Sequence, residues 1–137
     1  MPAHLIRARE LYPDAPYAYA SVAPPGSLVF TAGACPIDAA GVVTEPGDYA
    51  AQAARAVANL EVALAAAGAS LADVLKTTVY VASADQHDLV AVWDVVHAAF
   101  DAHDPPSTLL GVSVLGYSGQ LVEIEAVALA RAPSSPS

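Results

Sequence analysis

The chain has 137 residues, enough for one domain with an ordinary core and too few for two large ones. Hydrophobic residues make up 55% and the mean hydropathy is +0.46, yet no apolar run approaches the roughly 20 residues that cross a bilayer, so no membrane partner is expected. Only five cations (Arg7, Arg9, Arg55, Lys76 and Arg131) stand against 14 carboxylates, a net charge of −9; they are too few and too scattered to neutralise a run of phosphates, so nucleic acid is not expected as a partner.

The chain opens on Met1-Pro2-Ala3-His4-Leu5, which lacks the basic and apolar regions of a secretion signal. Tyr17 to Val22 reads as a short strand, Pro24-Pro25-Gly26 as a turn, and Ser27 to Ala32 as a second strand. The two are expected to form a hairpin. Gly33 to Asp48, with Pro36, Gly41, Pro46 and Gly47, is loop-like. Within it Cys35 is the sole cysteine, so no internal disulfide forms, which points to the cytoplasm.

Tyr49 to Ala67 is predicted as a helix, because Ala53, Val57, Leu60 and Leu64 recur along one stripe and Gly68 is placed to end it. Ser70-Leu71-Ala72-Asp73 reads as a capped single turn. Val74 to Val81 is β-branched and aromatic, hence a strand. Ser83 and Asp85 are N-cap candidates for a second helix through Phe100, with Leu89, Val92, Val96 and Phe100 as its stripe. Pro105-Pro106 leads into two strands, Ser107 to Leu115 and Leu121 to Ala130, joined by Gly116-Tyr117-Ser118-Gly119-Gln120. The tail 132–137 is short, polar and proline-rich, and is expected to be disordered, leaving 1–131 as a single domain.

The order β-β-α-β-α-β-β predicts an α+β two-layer sandwich with both helices on one face of one sheet. The last strand supports this. Val122, Ile124, Ala126 and Ala128 point one way, and Glu123, Glu125, Val127 and Leu129 the other. The first set suits a helix layer. The second is half charged and half apolar, which suits a subunit interface or cleft.

Several motifs, taken in order, resemble the RidA/YjgF family of reactive-intermediate deaminases. They are Pro16-Tyr17, Leu28-Val29-Phe30-Thr31-Ala32-Gly33, Asn59-Leu60, Ala66-Ala67-Gly68, Lys76-Thr77-Thr78-Val79-Tyr80-Val81 and Val122-Glu123-Ile124-Glu125-Ala126. The resemblance implies a chorismate mutase-like fold, a homotrimer with small-molecule clefts between subunits, and hydrolysis of enamines and imines to 2-oxo acids and ammonia without a cofactor. By resemblance, Glu123 is the catalytic residue that positions the attacking water. Tyr17, the Gly33 backbone N–H and the Ser107-Thr108 pair hold the ligand, with Ala32, Ala34, Cys35 and Tyr117 along the cleft. Where the family carries the arginine that clamps a substrate carboxylate, this chain has Pro106, and the family's glutamine after the second strand is Ala34. The loop Leu115-Gly116-Tyr117-Ser118-Gly119 departs from the family's Leu-Pro version.

Two functional readings follow. One is hydrolysis of a reactive imine or enamine at Glu123, on a small ligand that is neutral or mostly apolar. The other is a ligand-binding or regulatory module that lost deaminase activity with the arginine, unless Lys76 or a neighbouring subunit's cation substitutes. Tyr17 either bonds a ligand or packs in the hairpin. Cys35 lacks a nearby histidine or cation that would activate it, so it reads as a small packing residue. Trp93 reads as core or interface packing. His87, His97 and His103 match no metal-ligand spacing, so no metal is expected, although His103 and Asp104 lie close to the Ser107-Thr108 pair in sequence.

Overall fold

The computed structural model describes residues 3–131, so the tail expected to be disordered, 132–137, lies outside the described residues. Its strands are β1 His4–Ile6, β2 Ala20–Val22, β3 Leu28–Phe30, β4 Val74–Val81, β5 Ser107–Gly111 and β6 Val122–Leu129, and its helices are α1 Tyr49–Ala66 and α2 Gln86–Phe100. A 3-10 turn, Leu71–Asp73, precedes β4.

The helices start where their caps are. Asp48 accepts from the Ala51 N–H at 2.9 Å and Asp85 from the His87 N–H at 2.9 Å, each satisfying a donor that the first helical turn leaves without a partner. Just past the end of α1, Gly68 has a φ of 82°, one that residues with a Cβ rarely adopt. The expected stripe of α1 is buried throughout, with Gln52 and Ala56 beside it. Val92, Val96 and Phe100 of α2 are likewise buried.

Both helices lie on one face of a four-stranded sheet ordered β3-β6-β4-β5. β4 and β5 run parallel and the other neighbours antiparallel, so the sheet is mixed. The core joins Leu60 and Leu64 to Val79, Val81, Val122 and Ile124. Burying such side chains contributes roughly 1.5–3 kcal/mol each. β6 follows the expected alternation: Val122, Ile124, Ala126 and Ala128 are buried, whereas Glu123, Glu125 and Val127 are half-buried on the face without helices. Leu129 departs from it and is buried.

The expected hairpin is absent. β2 pairs with the N-terminal β1, and β3 pairs with β6 through Leu28↔Leu129, Val29↔Ala128 and Phe30↔Val127. Pro24 and Pro25 have no N–H to give to a ladder, and each strand finds its partner elsewhere in the chain. The strand expected through Leu115 stops at Gly111, and 112–121 forms a loop into β6.

Candidate functional site

After β3 the chain keeps running beside β6. The Thr31 N–H donates to the Ala126 carbonyl at 3.0 Å, and Ala34 and Ile124 exchange backbone bonds of 2.6 and 3.1 Å. This path lays Gly33 against Glu123. A Cβ on Gly33 would come within 2.1 Å of Glu123 Oε2, so the carboxylate occupies the space that a side chain would need. The next turn is pinned from α1: Asn59 Nδ2 donates to the carbonyls of Cys35 at 2.7 Å and Ile37 at 2.9 Å.

Glu123 is held through one oxygen. Oε1 accepts from Gln120 Nε2 at 3.1 Å and from the Cys35 thiol at 3.3 Å. Burial, followed by the hydrogen bond to Glu123 and its negative charge, pushes the Cys35 thiol up to about 11. At neutral pH Cys35 is therefore protonated and acts as a donor. On the same face, Tyr80 donates a hydrogen bond to Glu125, and that bond raises the Tyr80 hydroxyl above its ordinary value. Tyr80 sits between Glu123 on β6 and Leu110 on β5, in register with both.

A second group of candidates gathers at the outer edge of β5. Ser107 is in register with Thr77, which is in register with the core residue Ala126, so Ser107 faces the helix side. Its hydroxyl meets that of Thr77. Thr108, in register with Thr78 and Glu125, faces the open side, where Lys76 Nζ donates to its Oγ1 at 3.4 Å. Tyr17 and Trp93 meet edge to face at 6.4 Å and, with Ser107, Thr108 and Leu109, line a cavity of about 370 Å³.

Tyr17 is fixed there by Asp104. The Asp104 carbonyl accepts from the Ala18 N–H at 2.8 Å, and its carboxylate pairs with Arg7 at 2.8 Å, while Arg7 also donates to the Ala15 carbonyl at 3.2 Å. His97 completes the arrangement, stacked on Trp93 and 3.2 Å from the other Asp104 oxygen. His103 serves the fold: its Nε2 lies 2.7 Å from the Val74 carbonyl.

Glu123, Gly33, Ala34 and Cys35 thus come together, with Ala32 exposed beside them, and Tyr17, Ser107 and Thr108 come together elsewhere. β4 lies between β6 and β5, which puts about 10 Å between Glu123 and the β5 backbone at the usual strand spacing. The Pro106 carbonyl accepts from the Thr77 N–H at 3.0 Å, and its ring lines a separate cavity with Tyr19, Lys76 and Val127. Tyr117 is exposed in the loop before β6, tied to Gln120. Gln120, beside Glu123, is a residue the sequence did not single out, and Trp93, read there as core or interface packing, lines the Tyr17 cavity. Trp93 lies beside the α2 stripe, where a large aromatic signals packing, and a glutamine in a glycine-flanked loop gave no signal. Among the described residues, no group of three or more His, Cys, Asp or Glu side chains could hold a metal ion.

Residues 8–130 match the family model described as Endoribonuclease L-PSP. The chain belongs to the RidA/YjgF family. It is 36% identical to the 2-iminobutanoate/2-iminopropanoate deaminase of Salmonella typhimurium over 110 residues, 77% of this chain and 82% of that one. The solved structure of YyfB from Yersinia pestis, a member of the conserved Rid family, superposes with a TM-score of 0.87 at 30% identity, covering 94% of this chain and 99% of YyfB. Rv2704 of Mycobacterium tuberculosis, from the YjgF/YER057c/UK114 family, gives 0.64 at 33% identity, covering 93% and 98%. Pro106, ahead of Ser107-Thr108, brings neither charge nor N–H donor to that pair.

Proposed function

We propose that this Rid-family protein is a cofactor-independent hydrolase of small imines or enamines, and that Glu123 directs the attacking water. The observation that carries this reading is the Glu123 carboxylate, held through Oε1 by Cys35 and Gln120 with Oε2 lying against Gly33. The deaminase named among the relatives supports the reaction class. Oε2 takes a proton from water as the water oxygen adds to the imine carbon. Glu123 returns that proton to the nitrogen, the proton of the new hydroxyl follows it, and the C–N bond breaks as the C=O bond forms, so that a carbonyl compound and ammonia leave. A positioned base of this kind contributes about 10²–10⁴-fold.

The substrate class follows from Pro106. Without a guanidinium there is no bidentate clamp for a carboxylate. Arg7 and Arg131 are committed to Asp104 and Asp73. The cavity beside Thr108 instead offers two aromatic rings, a leucine and two hydroxyls. A neutral imine without a carboxylate fits these groups. Because β4 separates Glu123 on β6 from that cavity at the β5 edge, we further propose a homotrimer whose clefts combine the Glu123 group of one subunit with the Tyr17 group of its neighbour.

The test is ammonia release from two substrate series generated in situ: enamines from serine or threonine, and imines lacking a carboxylate. Release above buffer is expected for the second series, with Glu123→Ala lowering it about 100-fold or more. Silence with both series would sink catalysis. It would leave the second reading, a binding module without catalysis, which Pro106 also favours. An unchanged rate in Glu123→Ala would remove Glu123 from the mechanism.

A further inference from the structure

Gln120 is 3% exposed, at the end of the loop that enters β6. A buried carboxamide is costly unless its N–H groups and oxygen find partners. Here its oxygen accepts from the Tyr117 N–H at 3.0 Å, and Nε2 donates to the Val122 carbonyl at 3.0 Å and to Glu123 Oε1 at 3.1 Å. The orientation of the amide follows from these partners, since an N–H requires the oxygen and two acceptors require the nitrogen. The segment is braced from α1 by the fully buried Gln52, which accepts from the Leu121 N–H at 2.8 Å and donates to the Gly119 carbonyl at 3.1 Å.

Glu123 Oε1 thus carries two donors, Gln120 and Cys35, whereas Oε2 accepts none among the described residues. We propose that Gln120 is a positioning residue. It locks Glu123 in the rotamer that presents Oε2 to water, and it couples that rotamer to the loop carrying Tyr117. A ligand that moves the Tyr117 loop therefore acts on the base through one amide. This inference rests on Glu123 acting as the base.

Two variants separate the roles of the amide. Gln120→Glu keeps an acceptor for the Tyr117 N–H and replaces the donor to Glu123 with a repelling oxygen. Gln120→Met keeps the length and removes both functions. Each would be compared with wild type in ammonia release from a carboxylate-free imine, and in amide hydrogen exchange at Tyr117. In both variants kcat is expected to fall at least about tenfold while KM stays within about twofold. In Gln120→Glu, Tyr117 exchange stays near wild type and the acid limb of the pH–rate profile moves to higher pH. In Gln120→Met, Tyr117 exchange accelerates. Should Gln120→Glu fail to fold, Gln120→Met carries the test. An active wild type with the folded variants at wild-type kcat overturns this inference alone. A wild type that releases no ammonia overturns the reading of Glu123 and this inference with it.

Discussion

Cys35 and Glu123 face each other across 3.3 Å, and each discourages a second negative charge between them. Burial is the larger reason that the thiol stays protonated, and Glu123 adds its hydrogen bond and its charge. Alkylation of Cys35 by iodoacetamide should therefore be slow at neutral pH and rise with a midpoint near 11. Replacing Glu123 with Gln removes the charge, so the midpoint should move down. Mass spectrometry of timed reactions across pH reads both values, and a wild-type midpoint near 8.5, the ordinary thiol value, would contradict the assignment. Glu123 and Gly33 were legible at this scale because motif and alternation both marked them. Gln120 was not, because its partners are set by how the 112–121 loop folds, and nothing in its neighbours announces that.

At the scale of elements, the helices were legible because their determinants are local. Caps, stripe and terminating glycine lie within a few residues of each other. Leu60 sits at the centre of that stripe, fully buried between α1 and the sheet. Leu60→Ala should cost about 2–5 kcal/mol in urea unfolding, and a loss below about 1 kcal/mol would mean that the cavity collapses or that α1 packs elsewhere. The strands were less legible. Consecutive strands are neighbours roughly two times in three, and the turn signal at Pro24-Pro25-Gly26 strengthened that default for a hairpin. The default failed because β3 buries Val29 against the core by joining β6, while β2 is paired by a three-residue N-terminal strand that shows no sequence periodicity. Trp93 packs as its place beside the α2 stripe suggests, but its neighbour Tyr17 is brought there by the Asp104 anchor far along the chain.

At the scale of the molecule, one sheet face has no helix over it among the described residues. Phe30 is 73% exposed there, and Leu110 is 42% exposed. Water against such a face is unfavourable, and a second copy of the chain would remove it. Light scattering is expected to give about three times 13.9 kDa, and Phe30→Glu, which sets a charge into that face, should shift the mass toward a single chain. A wild type at 13.9 kDa would contradict the assembly.

The amino-acid order by itself determined the two helices, the 3-10 turn capped by Ser70 and Asp73, and the two-faced final strand. It also determined the family. Each of these depends on spacing within a short window, where a residue's conformation and its side-chain direction follow from its immediate neighbours. Only the tertiary structure decided that β3 pairs with β6, and so that Gly33 lies under Glu123. The same holds for the separation of the Tyr17 cavity from Glu123 across the sheet and for the burial of Gln120 against the carboxylate. Those contacts join segments far apart in sequence, and their stability depends on the free energy of the whole packed chain, which no local pattern records.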